Sequence, residues 1–108
     1  MTNTDALLDA CANSTRRAIL LGLRTGPRSV GAIADDLPVT QSAVSQHLRV
    51  LTEAGLVRVT RDGARRLYRI DPDGLGELRA WFDQFWDEAL AAFAEHTASR
   101  HSPTKDKT

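Results

Sequence analysis

Residues 41–54 (QSAVSQHLRVLTEA) carry two kinds of surface at helical spacing, and few folds accommodate both. At about 100° per residue, Val44, Leu48 and Leu51 fall within one narrow arc. Gln41, Ser42, Ser45, Gln46 and Arg49 occupy a separate arc. A solvated helix face usually carries Glu and Lys, and this one has neither until Glu53. It offers hydroxyl, amide and guanidinium groups with little bulk, the set that reads base edges when a helix enters a DNA major groove. The bland alternative is an ordinary solvated face. The opposite, apolar arc must be buried against a body that holds the helix.

The flanking residues supply that body. Asp5 to Cys11 reads as a short helix with Leu7, Leu8 and Cys11 on one side. Asn13, Ser14 and Thr15 offer cap-type side chains for a second helix to about Arg24, which Gly26-Pro27 stops. Ser29 can cap a third, whose Val30, Ile33, Ala34 and Leu37 follow the i, i+3, i+4, i+7 pattern. Pro38 ends it, Thr40 caps the next helix, and Gly55 suits the left-handed stop that follows. The spacing predicts helices of eight and fourteen residues joined by three, a helix-turn-helix.

Leu56 to Ile70 has a different period. Val57 and Val59 alternate with Arg58 and Thr60, Asp62-Gly63 interrupts, and Leu67-Tyr68-Arg69-Ile70 resumes. An Asp-Gly between two β-favouring runs predicts a hairpin. With Arg58, Arg61, Arg65, Arg66 and Arg69 against one acid, it is cationic enough to lie along phosphates as a wing. Asp71-Pro72-Asp73 then begins a last helix to about His96, and residues 97–108 read as a disordered polar tail. The expected fold is mainly α (α+β): five helices and a two-stranded hairpin in the order ααααββα, one winged helix-turn-helix domain over 1–96.

At 108 residues the chain has room for one small domain that would gain from a partner subunit. The zero net charge hides a strong polarity: residues 13–69 hold ten Arg against four acids, and residues 70–96 hold seven acids against Arg79. A basic half joined to an acidic half suggests one face for a polyanion and another kept from it. No stretch has the apolar length of a membrane span, and the N-terminal residues lack a signal pattern. With one cysteine no intrachain disulfide forms, and a cytoplasmic setting is expected.

Five of the six aromatic residues lie between positions 81 and 93. Trp81, Phe82, Phe85, Trp86 and Phe93 join Leu75, Leu78, Ala89 and Leu90 in an arc of about 180°, wider than the ~100° stripe of a one-sided surface helix. The pattern predicts two uses: one edge on the helix-turn-helix body, the other on the same helix of a second copy. The alternative is a helix lying deep in its own core. Arg79 breaks the stripe, and the pattern gives no reason for it.

Taken together these residues resemble the ArsR family of bacterial winged-helix repressors, over about residues 5–95. The resemblance is carried by Ala12 to Leu20 (ANSTRRAIL), by Gln41 to Leu51 (QSAVSQHLRVL), by Glu53 to Val57 (EAGLV), and by Arg61-Asp62-Gly63 with Tyr68-Arg69-Ile70. Asn13-Ser14 stands where the family usually has Asp-Pro, a change that keeps cap chemistry. The resemblance implies a homodimeric repressor of palindromic operator DNA that pairs through its first and last helices, many members releasing DNA when an inducer binds. It carries base contacts onto Thr40, Gln41, Ser42, Ser45 and Gln46. Arg49 and the wing residues Arg61, Arg65 and Arg66 would mostly touch phosphate, fixing register without reading sequence. His47 lies nearly opposite the polar arc and reads as structural or as a flank contact. Leu7, Leu8, Cys11, Trp81, Phe82, Phe85, Trp86, Leu90 and Phe93 are the expected dimer contacts.

The family's metal sensors set a test. Their Cys-Val-Cys run corresponds to Ser29, Val30 and Gly31, and their last-helix ligand positions to Pro72, Gly74, Phe85 and Glu88. Only Glu88 could coordinate, so no metal or other cofactor is expected. Cys11 reads as a small apolar residue, with Asp9 nearby to raise its pKa and no basic cluster to lower it. A metal- or redox-responsive repressor, or a winged helix that docks protein, are the rival readings. No phosphate loop, nucleophile elbow or Cys/His pair points to an enzyme.

Overall fold

The computed structural model describes residues 3–100, with side chains through residue 96. The elements are α1 (Asn3–Cys11), α2 (Ser14–Leu23), α3 (Val30–Asp35), α4 (Gln41–Ala54), β1 (Val57–Asp62), β2 (Arg65–Ile70) and α5 (Pro72–Arg100), in the expected order ααααββα. Two compact units divide after Leu78.

Local chemistry sets most helix ends in the first unit. Asn13 Oδ1 accepts from the Arg16 N–H (3.0 Å), Ser29 Oγ from Ala32 N–H (3.2 Å) and Thr40 Oγ1 from Ala43 N–H (3.1 Å). Each bond satisfies a donor that a helix start leaves orphaned. Gly55 closes α4 at φ 90°, the left-handed position where a Cβ is unwelcome. Asp71 opens α5: its carboxylate accepts from Asp73 N–H (3.0 Å), with Pro72 in the first helical position.

Besides α1, which begins at Asn3 and not at Asp5, three boundaries differ from the sequence reading. The third helix ends at Asp35, because Asp36 and Leu37 donate to Ile33 and Ala34 in tight i→i+3 bonds before Pro38. It has six residues and the connection to α4 has five, from 36 to 40. In the hairpin, Asp62 pairs with Arg65, so Gly63-Ala64 is the two-residue loop. Only Gly63 of that pair has positive φ (65°), which fits a turn with Gly first and not an Asp-Gly centre. The last helix continues to Arg100, because no Gly or Pro interrupts residues 77–102. Residues 97–100 are therefore helical; the rest of the expected tail lies outside the described residues.

The core of the first unit gathers Leu7, Ile19, Leu23, Ile33, Val44, Leu48, Leu51, Leu56 and Val57, all essentially without exposure. Leu7 belongs here. Expected as a dimer contact, it is 0% exposed within one chain and has no surface for a partner, because α1 turns it onto α4. A further strand-like contact was not legible in the sequence: Arg28 N–H donates to Tyr68 O (2.9 Å) and Tyr68 N–H to Arg28 O (2.8 Å). This bridge fastens the loop before α3 to β2. Arg28 also reaches Asp36 (2.7 Å) and Ala32 O (2.9 Å), so one residue ties the wing to the helix-turn-helix.

The second unit is helical in its described part, and every residue from Arg79 to His96 is exposed in the single chain. Trp81 and Phe85 stack with ring centroids 5.6 Å apart, and Trp81 meets Phe82 edge to face at 5.1 Å. Trp86 (62%) and Phe93 (68%) are the most exposed of these rings.

Gly74 approaches Gly55 so closely that a Cβ on Gly74 would run into the Gly55 carbonyl oxygen. Gly74→Ala should lower unfolding free energy in urea by about 1–3 kcal/mol, as overpacking against backbone does. Gly76→Ala, whose Cβ would meet nothing within 4 Å, should instead raise it by about 0.5–1 kcal/mol through helix propensity.

Candidate nucleic-acid interface

Burial of one side of α4 decides what the other side presents. Val44, Leu48 and Leu51 are each 0% exposed, whereas Gln41, Ser42, Ser45, Gln46 and Arg49 are exposed, as is the cap Thr40. The two arcs therefore fall where their spacing puts them. Arg49 lies 3.5 Å from Glu53 in an i,i+4 pair, but both side chains are more than two-thirds exposed. Such a pair holds weakly and leaves the guanidinium available.

The strand register sorts the wing residues. Val59 faces Tyr68 and Arg61 faces Arg66 across the ladder, so these four share one side of the hairpin. Arg58, Arg65 and Arg69 lie on the other side, where Arg58 pairs with Asp71 (3.3 Å). Ser42, Ser45, Gln46 and Arg49 of α4 line a cleft of about 540 Å³ with Val59, Arg66 and Tyr68 of the wing. Thr52 and Glu53 complete its wall. The Arg66 guanidinium lies 5.9 Å from the centroid of the buried Tyr68 ring, a cation–π contact at the cleft. The structure thus brings Arg66 to the helix residues, while Arg61 and Arg65 sit exposed toward the hairpin tip. Tyr68 was read as part of the second hairpin arm and of a family motif; its place in the cleft depends on strand register.

His47 lies off this face, half-buried, with Nδ1 3.4 Å from Arg16 Nη1. Arg16 itself donates to Ala10 O (2.7 Å) and Asp9 O (3.3 Å), and Arg17 to Cys11 O (2.8 Å). These bonds satisfy the last carbonyls of α1 with positive charge where the helix dipole favours it. The adjacent arginines of the ANSTRRAIL segment thus serve as a C-cap for the preceding helix.

The Cys11 thiol is raised as expected, but by burial and not by Asp9. Burial pushes its thiol up from the usual value, while Arg17 and Arg16 pull it down by a lesser amount. The basic groups absent from its immediate sequence neighbourhood arrive through α2. Among the described residues, no three His, Cys, Asp or Glu side chains gather where they could hold a metal ion. No described helix is long and apolar enough to cross a membrane.

A half-buried core helix pair, a row of short polar side chains and a cationic hairpin beside it define a winged helix-turn-helix DNA-binding protein. Residues 12–60 match the family model described as a helix-turn-helix domain. The chain is 50% identical over 91 residues to the HTH-type transcriptional regulator Rv2034 of Mycobacterium tuberculosis, covering 84% of this chain and 85% of that one. It is 47% identical over 72 residues to the HTH-type transcriptional repressor SmtB of the same organism, covering 67% of this chain and about half (53%) of SmtB. Among solved structures, a homodimeric winged helix-turn-helix DNA-binding domain from Mycobacterium bovis, a possible ArsR-family regulator, superposes with TM-score 0.65. That match has 34% identity and covers 82% of each chain. The chain belongs to the ArsR/SmtB family of HTH-type transcriptional regulators, which are not enzymes.

Because the raised thiol pKa leaves less thiolate at a given pH, Cys11 should react with iodoacetamide more slowly than free cysteine near neutral pH. Mass spectrometry of timed aliquots checks this; a rate above that of free cysteine would contradict burial as the dominant influence.

Proposed function

We propose that the protein is a homodimeric repressor that binds a palindromic operator, with α4 of each subunit in the major groove. The observation that carries this reading is the shared cleft, which Ser42, Ser45, Gln46 and Arg49 of α4 line together with Arg66 of the wing. Thr40, Gln41, Ser42, Ser45 and Gln46 reach base edges by donating and accepting hydrogen bonds. Arg49, Arg61, Arg65 and Arg66 fix the register on phosphates. A two-fold pair presents its reading helices to half-sites about 34–36 Å apart.

Dimerisation is supported by the exposed aromatic row. Trp81, Phe82, Phe85, Trp86, Leu90 and Phe93 present a contiguous apolar surface that a monomer in water would leave unsatisfied. Leu8 and Cys11, both half-buried, offer the remaining area on α1. The regulator's genes and any small-molecule inducer follow from the operator's neighbourhood, so selection of bound genomic fragments is the first experiment.

On the selected operator, Ser45→Ala or Gln46→Ala should weaken binding by about 1–3 kcal/mol and leave random DNA nearly unaffected. Equal losses on both would remove these residues from base reading. Arg66→Ala should weaken both DNAs and flatten the slope of log K against log salt by about one unit. A slope identical to that of the parent would take Arg66 off the phosphate list.

A further inference from the structure

The first unit has a second concavity, unrelated to the cleft between α4 and the wing. It is an apolar groove of about 970 Å³, walled by α2, the root of the hairpin and the first turns of α5. All of its wall belongs to the first unit. Leu21 (59%) and Leu75 (49%) lie open in it, and Leu56 and Ile70 bring the two ends of the hairpin into its wall. Its size is at the upper end of the about 300–1,000 Å³ of small-molecule sites.

The lining narrows the ligand. Arg17, Arg24 and Arg69 supply its charge, and it contains no carboxylate, no amide side chain and no aromatic ring. Arg17 is engaged with Cys11 O (2.8 Å), whereas Arg24 and Arg69 form no ion pair among the described residues. At the end of α2, Leu21 O and Leu23 O already accept from Arg24 N–H (3.4 Å) and Gly26 N–H (3.2 Å), so neither is left open to a cation. A flat heterocycle would find no ring to stack on and no amide to pair with. An aliphatic chain suits the leucine wall, and a carboxylate suits two guanidiniums without a partner.

We propose that this groove binds an aliphatic carboxylate, its chain along Leu21, Leu75 and Ile70 and its head drawn by Arg24 and Arg69. The regulatory consequence rests on the repressor reading and gives that reading the chemistry of an inducer. Leu56 O accepts from Asp71 N–H (2.8 Å) and Ile70 pairs with Val57, so the wing root closes within the groove wall. Arg69 belongs to β2, the strand that also carries Arg66. A carboxylate held there cancels positive charge on the hairpin and lowers its attraction for phosphate. Ligand and operator therefore oppose each other, and by linkage each weakens the other by the same factor.

Calorimetry with decanoate on the DNA-free full chain tests the site, with decanol and acetate as the two halves of the ligand. Decanoate should bind, and either half at least about tenfold more weakly, since the site needs both chain and charge. Arg24→Gln/Arg69→Gln, both at exposed positions, should weaken decanoate at least about tenfold. Leu21→Asp, also exposed, sets a carboxylate in the groove and should weaken it as much. Arg79→Gln removes a charge outside the groove and should leave decanoate affinity within about twofold. No binding of decanoate, decanol binding equally well, or undiminished binding by both groove variants would overturn the site. Equal weakening by Arg79→Gln would reduce it to net charge and overturn it too. On the selected operator, saturating decanoate should weaken the parent at least about threefold and leave the affinity of Leu21→Asp where it was without decanoate. Decanoate that binds the chain without moving operator affinity would overturn the inducer role and uphold the site. A chain that takes up decanoate but selects no operator would sink the repressor reading and, with it, the inducer role, and still uphold the site.

Discussion

The apolar back of α4 against the first unit's core is the contact on which the exposed polar face of that helix depends. Val44, Leu48 and Leu51 pack with Leu7, Ile19 and Ile33, and none of them keeps any notable exposure. Each such side chain contributes about 1.5–3 kcal/mol by leaving water. A fourteen-residue helix is marginal alone, so this burial and not intrinsic propensity holds α4 together. It also sets the rotation of the helix about its axis. With a period of 3.6, three buried positions leave one orientation, and Ser42, Ser45, Gln46 and Arg49 emerge together.

Orientation of the wing has a separate cause. Tyr68 is held on both sides of β2, by Val59 in the ladder and by the Arg28 bridge beyond it. Arg28 binds Asp36 at the end of α3, so the hairpin and the helix-turn-helix are joined by one side chain as well as by the core. Arg66, two residues before Tyr68 and on the same side of the strand, is thereby brought to the cleft. Two exposed ion pairs, Arg49–Glu53 and Arg79–Asp83, add little to this framework.

Charge is divided along the chain in a way that suits a bound polyanion. Six of the ten arginines of residues 13–69 lie on α4 or the hairpin, the elements that build the cleft, and six of the seven carboxylates of residues 70–96 lie on α5. An acidic segment near phosphate would be repelled.

Most of what was legible in the sequence depends on neighbours within four residues. Asn13, Ser29, Thr40 and Gly55 announce helix ends because a cap bond or a left-handed residue acts locally. The two arcs of α4 follow from helical period alone, and the hairpin from alternation around Asp62-Gly63. What tertiary structure decided involves partners distant in sequence. Leu7 looked like a dimer contact until α1 laid it on α4, and Arg28 became a strand partner only when β2 came alongside. The turn moved to Gly63-Ala64 because cross-strand pairing, not the preference of a dipeptide, sets the register. Local hydrogen bonds and periodicity are written into adjacent residues, whereas burial and register are properties of surfaces that meet only after the chain has folded.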